Sequence, residues 1–149
     1  MNMKHVVCLI VFTVVIAFLS VLTAAPIVND HVAKKTAEEL AGLPLPDSTE
    51  FIEMVYQAGK LVGNGNGMQY FGAALIKSEL SLEEIKEYYS KYAENEWEYV
   101  VENQTDKNVK IIEHAELTFK TDIEGDDYYI VYSWGVNNTI FHEFDIRGH

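Results

Sequence analysis

The stretch VVCLIVFTVVIAFLSVLTAA, residues 6–25, decides how the rest of this chain is placed. It contains no charged residue and is interrupted only by the hydroxyl residues Thr13, Ser20 and Thr23. As a helix it would be about 30 Å long, which matches the hydrocarbon core of a bilayer. We therefore predict that residues 1–25 form a transmembrane segment and that the chain enters the membrane through residues 6–25.

Two fates are open for this segment: it can stay attached as a signal anchor, or it can be removed as a signal peptide. Lys4 supplies the basic residue that precedes the apolar run in both cases. The run is longer than the ~7–15 apolar residues of a secretory signal. A cut after the small residues 23–25 would place Pro26 next to the protease, and proline suits that position poorly because its φ is fixed and it lacks an N–H. We favour a single-pass anchor in the cell membrane, with secretion after cleavage as the alternative.

The orientation of the anchor is predicted from its position, because the charges around it are not decisive. Lys4 lies on one side of the span, and Lys34 and Lys35 lie on the other. A short amino-terminal tail before one apolar segment usually stays in the cytoplasm, so we expect the rest of the chain to be extracytoplasmic. No cysteine follows Cys8, which fits an exported bacterial domain without disulfides. The organisation is similar to that of short exported proteins of Gram-positive bacteria, and this similarity implies no activity.

The charge balance excludes several classes of partner. The chain has 11 Lys and Arg against 23 Asp and Glu, giving a formal net charge of -12, and all of the acidic residues follow the apolar segment. Such a chain is repelled by phosphate backbones, so we expect no nucleic-acid partner. It is also repelled by anionic lipid headgroups, so electrostatic docking on a membrane is not expected either. A hydrophobic content of 48% excludes a disordered chain.

The region after the apolar segment contains several helix-ending signals. Pro26 is predicted to end the apolar helix, and residues 32–40 then read as a short helix stopped by Gly42. The Leu-Pro-Leu-Pro sequence at 43–46 favours an extended linker. We therefore divide the chain into a signal-anchor segment, a short helix with a proline-containing linker, and an extracytoplasmic domain, at 1–25, 26–46 and 47–149.

The predicted domain begins with two strands and a helix. Residues 50–62 and 68–77 are rich in β-branched, aromatic and other apolar residues, and the Gly/Asn-rich sequence at 63–67 between them indicates a hairpin. The sequence Ser-Leu-Glu-Glu at 81–84 is a capping box, and apolar residues then recur at helical spacing. We predict a helix over residues 81–93.

Four more strand-like stretches follow, separated by turn-forming sequences. They lie at 97–102, 110–120, 128–134 and 139–146. The expected fold class is α+β: a ββα unit followed by about four strands, with an antiparallel sheet packed on one main helix.

The Gly63–Gly67 stretch is the first candidate for a ligand site, because backbone N–H groups in a glycine-rich loop can bind an anion. Neither phosphate motif fits, since Met68 stands where the third glycine of G-x-G-x-x-G belongs and no Gly-Lys-Ser/Thr follows. A simple hairpin turn is the favoured interpretation. If the loop binds a ligand, the groups available to it are Asn64, Asn66 and Tyr70.

The aromatic residues of the domain are a second candidate, because they could line a groove for a sugar or a peptide. Most of them are expected to form the core and cross-strand pairs of a small sheet instead. The set comprises Tyr88, Tyr89, Tyr92, Trp97, Tyr99, Tyr128, Tyr129, Tyr132 and Trp134. Tyr99 and Tyr129 are the two that we leave open as binding residues.

No catalytic motif is present, and we predict no catalytic residue, metal site or cofactor. His114 and His142 could meet across a sheet near carboxylates, which leaves a small hydrolase as an alternative. An accessory subunit of a membrane complex is a further alternative. The favoured function is a membrane-anchored, extracytoplasmic, non-catalytic module that binds a protein partner or a small ligand.

Overall fold

The computed structural model describes residues 2–137 and 139–149. Two helices and four strands are present, followed by two short 3-10 turns at Ile140–His142 and Ile146–Gly148. In chain order the elements are α1 (Met3–Ala41), β1 (Thr49–Gly59), β2 (Gln69–Ser78), α2 (Leu82–Ser90), β3 (Val100–Asn103) and β4 (Tyr128–Gly135). The strands form one antiparallel sheet in the order β1-β2-β4-β3, so the predicted α+β fold class is confirmed.

Helix α1 is 39 residues long and has two halves in different surroundings. Its first half is exposed on nearly all sides. Among the described residues, α1 is the one helix that is long and apolar enough to cross a membrane. Its second half buries one face against the sheet. The residues of this face recur at helical spacing: Ala25, Asn29, Ala33, Thr36, Ala37 and Leu40.

The prediction that Pro26 ends the apolar helix is wrong, because α1 continues through Pro26 to Ala41. Proline inside a helix costs about 3 kcal/mol, since it removes one backbone hydrogen bond and crowds the preceding turn. Burial of the helix face that starts at Ala25 offsets this cost. Residues 26–41 of the predicted connecting region are therefore part of the packed core, and the chain between α1 and β1 is short.

Helix and sheet approach each other closely at two glycines. A Cβ atom on Gly72 of β2 would lie 2.8 Å from the Cα atom of Ala37, and a Cβ atom on Gly135 of β4 would overlap the side chain of Thr36. No larger residue fits at either position without displacing α1. Glycine at these two positions thus sets the distance between the helix and the sheet.

The central strands β2 and β4 are covered on both faces. One face carries Phe71, Leu75 and Ile130 and is covered by the irregular segment 104–127, which contributes Val109 and Phe119. The other face is covered by α1 and α2, and its core cluster consists of Leu40, Ala74, Ile76, Ile85, Tyr89, Val101, Tyr129 and Val131. Burial on both faces explains why β2 has an almost continuous apolar sequence.

The elements predicted from local sequence signals agree best with the structure. The helix predicted at 81–93 is α2, and both hydrogen bonds of its capping box are present between Ser81 and Glu84. The strands predicted at 50–62, 68–77 and 128–134 are β1, β2 and β4, with ends within three residues of the prediction.

Two predicted strands are wrong. Residues 110–120 form turns held by a single isolated bridge between Asn108 and Thr118, and residues 139–146 include a 3-10 turn. Both edges of β4 are already paired, to β2 and to β3, so neither segment finds a partner there. Two strands therefore follow α2 in the described chain, instead of about four.

Candidate binding groove

An open groove of about 560 Å³ lies at one end of the central strands. Tyr70, the second residue of β2, pairs there with Gly135, the last residue of β4. Helix α1 passes this end first, because Asn29 contacts Tyr70 whereas Leu40 packs farther along with Ile76. The groove therefore lies at the end of the sheet that is closer to the apolar half of α1. Its lining consists of Val62, Met68, Gln69, Tyr70, Trp97, Ile111, Glu113, Tyr132, Trp134 and Gly135.

Aromatic side chains form the wall of the groove. Trp134 packs edge-on against Phe71 with ring centroids 5.0 Å apart, and Phe71 packs against Tyr132 at 5.6 Å. Trp97 comes from the connection between α2 and β3, and 66% of its surface is exposed. These are the two tryptophans of the chain, and both line the same groove. Exposed aromatic faces suit apolar groups, sugar rings and cations.

Two carboxylates lie near this wall, those of Glu102 and Glu113. The Tyr132 hydroxyl donates to Glu102 Oε1 over 2.8 Å, and burial together with this carboxylate raises the pKa of Tyr132. Glu113 lines the groove directly, and its carboxylate accepts a hydrogen bond from the backbone N–H of Gly63 at 3.0 Å. Two acidic groups beside aromatic faces favour a ligand with positive charge and disfavour an anion.

The glycine-rich loop beside the groove is fixed at its ends. The Gln69 side chain accepts from the backbone N–H groups of Leu61 and Val62 at 2.7 and 2.8 Å. His114 Nε2 lies 2.7 Å from the carbonyl oxygen of Gly63, and the N–H of Gly67 donates to the carbonyl of Gly148. Gly63 has a φ of 73°, in the left-handed region that favours glycine. These bonds set the shape of the groove rim next to Gln69.

The structure does not bring the three residues predicted at the loop into one site. Asn64 and Asn66 are exposed at its tip. Tyr70 is 3% exposed, and its hydroxyl donates to Asn29 Oδ1 at 3.0 Å beneath α1. Ligand binding by Asn64 and Asn66 stays a prediction.

The aromatic residues that line the groove are not the two that the sequence analysis left open as binding residues. Tyr99 and Tyr129, left open as binding residues, pack in the core cluster between the sheet, α1 and α2. Trp97, Tyr132 and Trp134 are the ones that reach the groove. The sequence contains no signal that separates these two sets, because the division depends on which face of the sheet α1 covers.

His114 and His142 lie in separate hydrogen-bonded groups of the described chain. His114 contacts Gly63 beside the groove, whereas His142 Nε2 lies 2.9 Å from Glu143 Oε1 in the carboxyl-terminal segment. Among residues 2–137 and 139–149, no cluster of three or more His, Cys, Asp or Glu side chains could hold a metal ion.

A second polar cluster, buried beneath α1, joins the carboxyl-terminal segment to the helix. Asn29 Nδ2 donates to Asp145 Oδ2 at 3.0 Å, and Arg147 donates to both oxygens of Asp145, the shortest bond being 2.7 Å. Arg147 also donates to Asp30 at 2.8 Å and to the carbonyl of Pro26 at 3.1 Å. These side chains are fully used by one another, so their arrangement indicates a structural attachment.

The Asp145 carboxylate is held in its charged form. Burial opposes ionisation, but hydrogen bonds from Arg147 and Asn29 outweigh it and lower the pKa of Asp145 to about 2. The same ion pair raises the pKa of Arg147. The pair is therefore ionised at neutral pH, and its charge is lost only as the pH falls toward 2.

The chain was compared with known proteins by family, by sequence and by structure. No protein-family model matches it, no curated protein matches its sequence, and no solved structure matches its fold.

Proposed function

We propose that this chain is a membrane-anchored, extracytoplasmic binding module without catalysis, and that its ligand site is the aromatic groove. The observation that carries the proposal is the convergence of both tryptophans and Tyr132 on one open groove. Grooves of this size and lining commonly bind small ligands or peptide side chains. Tyr132 and Trp134 of the wall are placed by β4 and packed against Phe71, which supports a preformed site.

The ligand class follows from charge and aromatic content. The net charge of -12 and the neighbouring carboxylates of Glu102 and Glu113 attract cations. A Lys or Arg side chain can place its charge over an indole face near a carboxylate, and its aliphatic stem can contact Ile111 and Met68. We therefore propose a peptide or protein segment with basic and apolar side chains as the ligand.

The exposed half of α1 supports the anchor. Its hydroxyl groups are satisfied within the helix, since Thr13, Ser20 and Thr23 donate to carbonyls four residues earlier at 2.8–3.1 Å. This is how such residues are accommodated in lipid. The small residues before Pro26 lie inside a continuous helix, and Ala25 is buried, which disfavours cleavage at that point.

Tryptophan fluorescence tests the groove directly, because both tryptophans report from it. Full-length protein in detergent is titrated with a set of peptides that combine Lys or Arg with aromatic or aliphatic residues. We expect a saturable change in emission for some of them and at least tenfold weaker binding, measured by calorimetry, for Trp97→Ala, the range of an interface hot spot. Trp97 is largely exposed, so this change leaves the fold intact.

Tyr56→Ala is the matched control, since Tyr56 is a partly exposed aromatic on β1 outside the groove. The control should bind like the parent chain. If no peptide changes the emission, or if Trp97→Ala binds as tightly as the parent, the groove is not the ligand site. A Glu113→Gln variant that loses the salt dependence of binding would further support a basic ligand.

The alternatives differ from this proposal in their observables. A hydrolase using carboxylates with His114 or His142 would require these groups to converge in one concave site, and the two histidines contact different segments. An accessory subunit could pair its partner with β1, an 11-residue strand at the edge of the sheet. Crosslinking through β1 rather than through the groove would favour that alternative.

A further inference from the structure

The carboxyl-terminal segment, residues 139–149, runs back along α1 toward the apolar half of the helix. Its backbone carbonyl at Phe141 accepts from Asn29 at 3.1 Å, and Arg147 donates to the carbonyl of Pro26. Phe144 packs edge-on against Phe18 of α1, with ring centroids 6.2 Å apart and an interplanar angle of 84°. The segment thus contacts α1 on both sides of Pro26.

The contact with Phe18 places this segment beside the predicted membrane span. Phe18 lies seven residues before Ala25, the end of the predicted span at residues 6–25. Seven helical residues correspond to about 10 Å along the axis, so Phe144 packs on a residue of α1 that lies about 10 Å before the end of the predicted span. Amphipathic segments that lie in a membrane interface reach a depth of about 5–10 Å.

Large apolar side chains point outward around this contact. Ile140 and Ile146 of the segment are 62% and 82% exposed, and Ile27 on the adjacent turn of α1 is 72% exposed. Val136, just after β4, is 79% exposed. Exposed apolar side chains are therefore concentrated on the segment and on the neighbouring part of the chain, and water is an unfavourable environment for them.

The charged groups of the segment do not oppose insertion, because most are paired internally. The Asp145 side chain is fully buried and is bonded to Arg147 and Asn29. Arg147 is in turn bonded to Asp30, at 2.8 Å. Glu143 is the exposed carboxylate, and it lies 2.9 Å from His142 Nε2. The ion pairs therefore reduce the net negative charge that this surface would bring near a bilayer.

We propose that the carboxyl-terminal segment is a second membrane contact, lying in the headgroup–acyl boundary of the bilayer that α1 spans. Ile140, Phe144 and Ile146 enter the acyl region, and the Asp145–Arg147–Asp30 cluster lies just above it. The proposal rests on the proposed membrane anchor, because the same bilayer supplies both contacts. With two contacts, the base of the domain is held against the membrane and cannot swing about α1.

The depth of attached labels tests this proposal in the full-length protein reconstituted in phosphatidylcholine vesicles. The native cysteine is first removed by Cys8→Ser, and single nitroxide labels are placed by Ile140→Cys and Ile146→Cys. Phe12→Cys reports on the span, and Tyr56→Cys on β1 serves as the aqueous control. All four positions are exposed in the protein, so labelling preserves the fold. A neutral lipid removes electrostatic attraction as a cause of insertion.

Accessibility to oxygen and to a water-soluble nickel chelate is measured by electron paramagnetic resonance. We expect the labels at 140 and 146 to favour oxygen, at depths between those at 12 and 56. If label 12 is in the bilayer and either label at 140 or 146 is aqueous, the second contact is refuted while the anchor stands. If label 12 is also aqueous, the anchor itself is refuted.

Discussion

Gly72 shows how one residue controls the spacing of two elements. The N and Cα atoms of Ala37 occupy the space in which a Cβ at this position would lie. These are main-chain atoms, so they cannot rotate away as a side chain could. The sequence Tyr-Phe-Gly-Ala-Ala at 70–74 predicts a strand that the glycine weakens. The reason for a glycine at this position is the helix that lies across the strand. Glycine is required here by packing and not by backbone conformation.

Replacing Gly72 by alanine should destabilise the protein by about 1–3 kcal/mol, the cost of overpacking a closed helix–sheet contact. Chemical unfolding followed by circular dichroism measures the change. Gly65→Ala is the control, because nothing lies within 4 Å of a Cβ there and the loop is exposed. Equal unfolding midpoints for the two variants would show that α1 and β2 are not tightly packed at Gly72.

Only some of the individual groove residues could be predicted from the sequence. Trp97, Tyr132 and Trp134 belong to the aromatic set that the sequence offers for a groove. Tyr70, which the sequence places next to the glycine-rich loop, is also in the lining of the groove, but its buried hydroxyl bonds to Asn29 beneath α1. Alternation along a strand separates its two faces, but it does not say which of them a distant helix covers.

Among the elements, α1 and the carboxyl-terminal segment depend on each other. The buried cluster of Asn29, Asp145 and Arg147 is the polar part of their contact, and Phe18 with Phe144 is the apolar part. Capping boxes and turns are local signals, which is why α2 was predicted correctly. A strand requires a partner as well as a suitable sequence, and the segments at 110–120 and 139–146 have none in the sheet.

The Asp145 cluster predicts how stability depends on pH. The pKa of Asp145 is about 2 when folded, against an ordinary value of 3.8. A lowered pKa stabilises the folded state above pH 3.8, and this stabilisation is lost as the pH falls toward 2. It should amount to roughly 2 kcal/mol, since one pKa unit corresponds to about 1.4 kcal/mol.

Asp145→Asn should therefore be less stable at neutral pH and should lose part of the slope of stability between pH 4 and pH 2. Urea unfolding over this range measures it, with the exposed Asp126→Asn as the control. An unchanged slope in Asp145→Asn would mean that the cluster does not hold the segment in place.

At the scale of the whole molecule, the sequence division at residue 47 does not follow the core. Ala33, Ala37 and Leu40 of α1 are buried against the sheet, so the helix supplies part of the interior of the domain. Helical and strand periodicity were sufficient for the α+β class. The docking of a helix onto a sheet rests on side chains far apart in sequence, and periodicity does not contain that information.

Truncation tests this directly. A chain of residues 24–149 should fold, because it keeps the buried face of α1 and Asn29. A chain of residues 47–149 should lose cooperative unfolding, since it uncovers β2 and leaves Asp145 without Asn29. Thermal denaturation and amide dispersion in nuclear magnetic resonance spectra distinguish the two. A cooperative transition in the shorter chain at the same midpoint would show that α1 is dispensable.

Because α1 is one continuous helix, a tilt of its apolar half also moves the half that packs on the sheet. From Ala25 to Ala41 the helix rises about 24 Å, and no flexible joint separates this part from the apolar half. A transmembrane helix tilts by about 20° on average, and its tilt changes with bilayer thickness. A tilt of this size would carry the far end of α1 about 8 Å sideways, together with the sheet packed on it. If residues 6–25 span a bilayer as we propose, the lipid thickness around them and the carboxyl-terminal contact would together set the orientation of the groove.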